Sequence, residues 1–247
     1  MGAVFIGSGT LANVVTVAFG SLLGLAFGSK IPQRTRDLIT ATLGLITLVL
    51  GIGSAGSISS QALAAVVGKG GLLVVIGSLL AGGIAGSALR IERRLEGAAD
   101  WLRVRIGRDD DSGRFVDAVV TPTLLFCVGP LTILGSLSDG LGRGPDQLLV
   151  KAVLDGFAAI AFASSLGVGV LFSAVFVGLL QGGLTLLAAL LGNFLGLAQI
   201  DALTATGGVI LMALSLRLLQ LKQVPVGDML PALLVAPVVV GVAGLVG

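Results

Sequence analysis

The stretch GFAAIAFASSLGVGVLFSAVFVGLLQGGLTLLAALLGNFLGLAQI, residues 156–200, runs for 45 positions without a charge. One crossing of a bilayer's hydrocarbon core takes about 20 residues. The run therefore holds two crossings, with SSLGVG supplying the turn between them. The rest of the chain agrees, with 55% hydrophobic residues, 11% charged residues and a mean hydropathy of +1.08. Soluble domains carry about 25% charged residues. A segment inside lipid must satisfy its own backbone, as a helix or a closed barrel. These runs are too long and too continuous for the alternating strands of about 10 residues that build a barrel. The reading is an all-α, polytopic transmembrane bundle.

Working outward, the apolar segments fall at about 9–28, 37–55, 61–89, 115–137, 147–164, 168–194, 201–219 and 229–246, giving seven or eight spans. The third is overlong and interrupted by GKGG at residues 68–71, which predicts a kinked helix or a short re-entrant piece followed by a full span. The N-terminal MGAVFIGSGTLANVV has no basic leader and no clean small-residue cleavage site, so it reads as a permanent span. The loops 29–37, 90–114 and 217–228 carry 12 of the 15 basic residues. With eight spans these loops share one side, the cytoplasmic one by the positive-inside rule, and both termini lie outside.

Histidine and tyrosine are absent and Cys127 is the single cysteine, which excludes a histidine relay, a cysteine metal cluster and an intrachain disulfide. No Walker motif, dinucleotide fingerprint or nucleophile elbow is present. No cofactor, enzymatic activity or nucleic-acid partner is expected. The expected partners are the lipid bilayer and a small ion or solute. Glycine-rich faces suit a homo-oligomer.

The polar segment 90–114, RIERRLEGAADWLRVRIGRDDDSGR, sets Ile91, Leu95, Ala98, Leu102 and Ile106 at helical spacing among arginines, with Trp101 near the middle. It reads as an amphipathic helix, either lying in the membrane interface or docked on protein. Internal similarity is informative too. ITATLGLITLVL at 39–50 resembles LTATGGVILMAL at 203–214, and GSLLGLA at 20–26 resembles GNFLGLA at 192–198. Spans one to three then correspond to spans six to eight, and the odd offset makes the repeats inverted, as in many secondary transporters. The chain is accordingly divided as one membrane domain, 1–247, with a first repeat at 1–89, the linker at 90–114, a central broken-helix pair at 115–166 and a second repeat at 167–247.

Candidate pathway residues follow from the cost of polarity in lipid. A charge at the bilayer centre costs at least about 2.5–3.5 kcal/mol. Lys151 and Asp155 lie four residues apart on one helical face and can pair. One reading has Lys151 snorkelling to the headgroups with Asp155 merely its partner. The other makes Asp155 a cation ligand or proton carrier, with Lys151 as its counter-ion when empty. Asn13 and Gln181 either line the same pathway or form interhelical hydrogen bonds worth about 0.6 kcal/mol. Ser164 and Ser165 lie on the small-residue surface beyond Asp155. Thr121, Thr123, Gly129 and Pro130 cluster where Pro122 and Pro130 disfavour helical backbone in the preceding residue and free carbonyls.

GTLANVVTVAFGSLLGLAFGSKIP, FCVGPLTILGSLSDGL and KAVLDGFAAIAFASSLGVGVLFSA resemble segments of the bacterial YqgA-like inner-membrane family, a domain of unknown function. The resemblance covers nearly the whole chain and implies a bacterial cytoplasmic-membrane protein. It brings no substrate and no catalytic residue. The functional expectation is a gradient-driven transporter or channel with its pathway at the Lys151/Asp155 span. The alternative is a membrane scaffold or sensor that binds a partner through the 90–114 helix.

Overall fold

The computed structural model describes residues 5–28, 32–105, 112–127, 130–191 and 195–246, and all regular structure among them is helical. The first helices are α1 (Ser8–Gly28), α2 (Gln33–Ala55), α3 (Gln61–Val67) and α4 (Gly71–Leu89). The amphipathic α5 (Ile91–Arg105) follows, then α6 (Ser112–Cys127), α7 (Pro130–Gly140), α8 (Asp146–Leu166) and α9 (Gly169–Leu191). The chain ends with α10 (Leu197–Leu218), α11 (Val226–Met229) and α12 (Ala232–Val246). Among the described residues, seven segments are long and apolar enough to cross a membrane, and α6 with α7, bent by 62°, makes an eighth if the pair is one span. The apolar runs thus become helices with the expected boundaries to within a few residues.

Two breaks have local causes. The interruption between α3 and α4 sits at Gly68, whose φ of +57° is open to glycine and strained for other residues. The start of α4 then packs against what precedes it, and a Cβ at Gly71 would lie 2.5 Å from the Ile58 carbonyl oxygen. The expected break at Pro122 does not occur, since Pro122 lies inside a continuous α6. Its ring removes one hydrogen bond. The neighbouring Thr123 hydroxyl donates to the Val119 carbonyl oxygen at 2.7 Å. The bend comes after Cys127 instead, where the Thr132 hydroxyl donates to the Phe126 carbonyl oxygen at 2.9 Å. Of the Gly129–Pro130 pair, Gly129 lies outside the described residues and Pro130 opens α7.

The chain forms two compact units, Met1–Leu43 with Glu96–Cys127 and Leu131–Phe194, and Gly44–Leu95 with Val128–Pro130 and Leu195–Gly247. In the first unit α1 and α8 run parallel. Gly9 meets Leu148, Gly20 the Gly156 carbonyl and Gly24 the Ile160 carbonyl, in order along both helices. A Cβ at Gly20 or Gly24 would lie 2.4 or 2.3 Å from those carbonyl oxygens, so only hydrogen permits this approach. Gly20 and Gly24 thus form the packing face of this seam.

The same unit shows what the bent pair does. Phe115, near the start of α6, stacks on Phe172 near the start of α9, and Gly140, at the end of α7, packs on Thr185 and Ala188. The pair thus begins at one end of α9 and finishes near the other. A re-entrant loop would return to the end it entered. The pair thus runs along the length of α9, which is the course a broken span takes.

In the second unit the later half of α2 packs antiparallel on α10. Gly44 meets Leu218 and Leu219, whereas Gly208 meets Ser54 and Ala55. The offset that carries Gly44 onto Gly208 also carries Ser54 onto Leu218 and Ala55 onto Leu219. Leu63, Val74, Ala202, Ala236 and Val240 form an apolar core in this unit. The Gln199 amide ties α10 to α12 by donating to the Pro237 carbonyl oxygen at 3.2 Å.

Candidate functional site

The parallel seam of α1 and α8 brings Asn13 against the middle of α8, because the glycines inward of it leave no side chain to hold the helices apart. Asp155 stands near the centre of that 21-residue helix. The Asn13 amide nitrogen donates to Asp155 Oδ2 at 2.9 Å and to Gln181 Oε1, from α9, at 3.0 Å. Lys151 forms an ion pair with the same Asp155 oxygen, and its ammonium lies 6.0 Å from the centroid of the Phe126 ring. Phe126 itself stands edge-on to Phe162 at 6.2 Å. The Asn13 amide of α1 thus bridges the Asp155 carboxylate of α8 and the Gln181 amide of α9.

Lys151 is 5% exposed and Asp155 7%, while Asn13 and Gln181 are fully buried. The Lys151 ammonium is thus turned into the protein toward Asp155 and is not exposed at the surface. The pair meets the cost of charge in lipid through its own Coulomb attraction and the Asn13 hydrogen bond. The amides are less completely used. Asn13 Oδ1 and Gln181 Nε2 have no hydrogen-bond partner although both are buried. Each such atom forfeits about 1–3 kcal/mol of lost hydration. One is an acceptor and the other a donor, side by side at a neutral ion pair. Such a centre can receive a small polar ligand without displacing a bond already made.

The other predicted residues have separate fates. Ser164 donates to the Ala161 carbonyl oxygen at 2.8 Å, and Ser165 bonds to the Thr40 hydroxyl, both near the far end of α8 from Lys151. Arg114 donates to the Ser165 carbonyl oxygen at 3.1 Å. These serines finish the helix and do not join the centre. Thr123 is occupied by its own helix, and Thr121 is buried with no hydrogen bond to the centre among the described residues.

Three polar features escaped the sequence reading. The Asp139 carboxylate accepts from the backbone N–H groups of Gly7 and Gly9, at 3.2 and 3.1 Å, and so caps the start of α1 from the end of α7. One turn outward of Asn13, the Thr10 and Thr185 hydroxyls face each other at 3.3 Å. In the second unit, Glu92 at the start of α5 pairs with Arg217 at 2.6 Å and accepts from the Gly227 N–H at 2.5 Å. The Glu92 N–H donates to Asp228 at 2.9 Å. Beyond that clasp Arg93, Arg94, Trp101 and Val104 are exposed. Among the described residues no group of three or more histidines, cysteines or acidic residues is placed to hold a metal ion.

The family model described as "Protein of unknown function (DUF554)" matches residues 8–241. The chain is 28% identical over 232 residues to "Uncharacterized membrane protein YdfK" of Bacillus subtilis (strain 168), covering 94% of this chain and 95% of that one. It is 29% identical over 231 residues to "Uncharacterized protein YqgA" of Escherichia coli (strain K12), covering 92% and 94%. No solved structure matches the chain.

Proposed function

The chain belongs to the DUF554 family, and from that premise and the buried centre of the first unit we propose that this membrane protein is a gradient-driven transporter or channel for a small ion or solute. The observation that carries the reading is the Lys151–Asp155 pair held near mid-helix by Asn13 and Gln181, with one amide acceptor and one amide donor left over. Ionisable residues inside a span are rare and commonly mark ion and substrate pathways. In this reading Lys151 occupies Asp155 when no cation is present, and an arriving cation takes its place beside the Asn13 oxygen. The protein does no covalent chemistry.

The proposal includes an inverted repeat, supported by the exchange of Gly44 and Gly208 contacts about the crossing of α2 and α10. It also places the protein in the bacterial cytoplasmic membrane with the basic loops inside, supported by their charge. Homo-oligomerisation is compatible with either reading.

A second reading, a scaffold or sensor, is favoured by the clasp. It fixes the start of α5 while Arg93, Arg94 and Trp101 are exposed for a partner or the interface. Flux in proteoliposomes separates the two. Wild type should carry a saturable flux of one member of a panel of cations, anions and small metabolites, and Asp155→Asn should reduce it to background. Folded wild type that moves none of them would leave the scaffold reading standing.

A further inference from the structure

Resting on the transport reading above, we infer that the cargo, a small cation, reaches Asp155 from the end of the first unit at which α1 begins, along a polar face shared by α1, α7 and α9, and that the opposite end is sealed in this conformation. The two halves of the unit differ in how their buried polar atoms are used. Among the described residues of this unit, the buried side-chain atoms without a hydrogen-bond partner are Ser8 Oγ, Ser136 Oγ, Asn13 Oδ1 and Gln181 Nε2. All of them lie from the centre toward the α1 N-terminus.

Ser136 is one turn from Asp139 on the face of α7 whose carboxylate touches the first residues of α1. Thr10 and Thr185 stand between that mouth and the Asn13–Gln181 pair. Hydroxyls that both donate and accept, leading to amides with unused capacity, offer successive oxygen ligands to a cation that sheds water.

Toward the other end the same helices close. Ser21 donates to the Val17 carbonyl oxygen and Ser173 to the Val170 carbonyl oxygen, each at 2.7 Å, so their hydroxyls are spent on their own backbones. Val17, Val170, Val177 and Phe162 are fully buried, and Gly20 and Gly24 bring α1 onto the α8 backbone. None of these buried side chains offers a free oxygen ligand to an ion.

Thr10, Ser136, Ser21 and Ser173 are all buried, so exposure alone predicts equal protection for the four. With Cys127 the single cysteine, a Cys127→Ala background isolates any position. In that background Thr10→Cys, Ser136→Cys, Ser21→Cys, Ser173→Cys and the exposed loop reporter Arg143→Cys are treated with a small, cationic, membrane-impermeant thiosulfonate, in intact cells and in inverted vesicles. The expected result is modification of Arg143→Cys, Ser136→Cys and Thr10→Cys from one and the same side. The two buried members should react about tenfold or more faster than Ser21→Cys and Ser173→Cys, as positions that differ in the cost of local opening do. Equal protection of all four while Arg143→Cys reacts would overturn the route, as would faster reaction of Ser21→Cys or Ser173→Cys from the opposite side. Should Thr10→Cys fail to accumulate, the near-isosteric Ser136→Cys decides. Flux lost in Asp155→Asn with an unreactive Ser136→Cys would sink the route and leave transport intact; a reactive ladder in a protein without flux would do the reverse.

Discussion

The Lys151–Asp155 centre and the Glu92–Arg217 clasp are both mostly buried ion pairs, yet they are completed differently. At the clasp each Glu92 oxygen has its own donor, Arg217 or the Gly227 N–H, and the backbone of Glu92 is itself held by Asp228. At the centre Asp155 Oδ2 receives both Lys151 and Asn13, while the amide atoms beyond them stay unpaired. Sites that only hold structure together tend to be satisfied, because an unpaired polar group costs free energy with no return. In the transport proposal the spare amide donor and acceptor beside Asp155 are the groups a cargo would use. The different completion of the two carboxylates is the physical basis for proposing passage at one pair and anchoring at the other.

The largest expected effect breaks that contrast at its functional end. Asp155→Asn keeps the shape of the carboxylate and removes its charge, so flux should fall to background while the variant still folds. The double variant Lys151→Met, Asp155→Asn should regain the stability that Lys151→Met alone loses, because removing both charges leaves none uncompensated. It should remain without flux. A double variant that transports would show the pair to be structural.

Next in size is the clasp. Glu92→Ala leaves the Arg217 charge largely buried without its carboxylate and should cost about 3–5 kcal/mol, read as a lower midpoint in thermal denaturation of the detergent-solubilised protein. Flux per folded molecule should persist. Loss of flux in the folded fraction would show that the clasp belongs to the transport cycle and would erase the distinction.

Gly20→Ala comes third. Its Cβ would meet the Gly156 carbonyl oxygen at 2.4 Å, and overpacking of this kind costs about 1–3 kcal/mol. The strain falls between Asn13 and the far end of the seam, so flux should suffer more than stability. Gly53→Ala, with open space around its Cβ, is the control.

How much of this was readable in the chain depends on how far each feature reaches. The spans were legible because each is a local run, and lipid forces every such run to be a helix. The centre was partly legible, since Asn13, Lys151, Asp155 and Gln181 are conspicuous in apolar surroundings and lipid leaves them few partners. Ser164 and Ser165 are as conspicuous in the sequence, but the Ser164 hydroxyl bonds to its own helix and the Ser165 hydroxyl to Thr40 of α2. The clasp and the Asp139 cap were not legible. Glu92, Asp139 and Asp228 lie at helix ends, where charge is ordinary, and their partners stand more than a hundred residues away in the chain. Only the position of Asp139 in SLSDG, closing an apolar helix, hinted at a capping role.

The smallest effect sharpens the comparison most directly. Ser136 and Ser215 are both serines, both fully buried and both on helices, but Ser215, two residues before Arg217 of the clasp, donates to the Met212 carbonyl oxygen at 2.7 Å, whereas Ser136 Oγ has no partner. Deleting a satisfied hydroxyl removes a bond worth about 0.5–1.5 kcal/mol net, while deleting an unsatisfied one relieves a desolvation cost. Ser215→Ala should therefore lower the denaturation midpoint, and Ser136→Ala should leave it unchanged or raise it. Flux should move the opposite way, with the apparent affinity for the cargo weakened by Ser136→Ala and untouched by Ser215→Ala. A stability loss at Ser136 equal to that at Ser215 would mean that its hydroxyl is already spoken for in the resting protein, and the spare capacity that sets the centre apart from the clasp would shrink to the two amides.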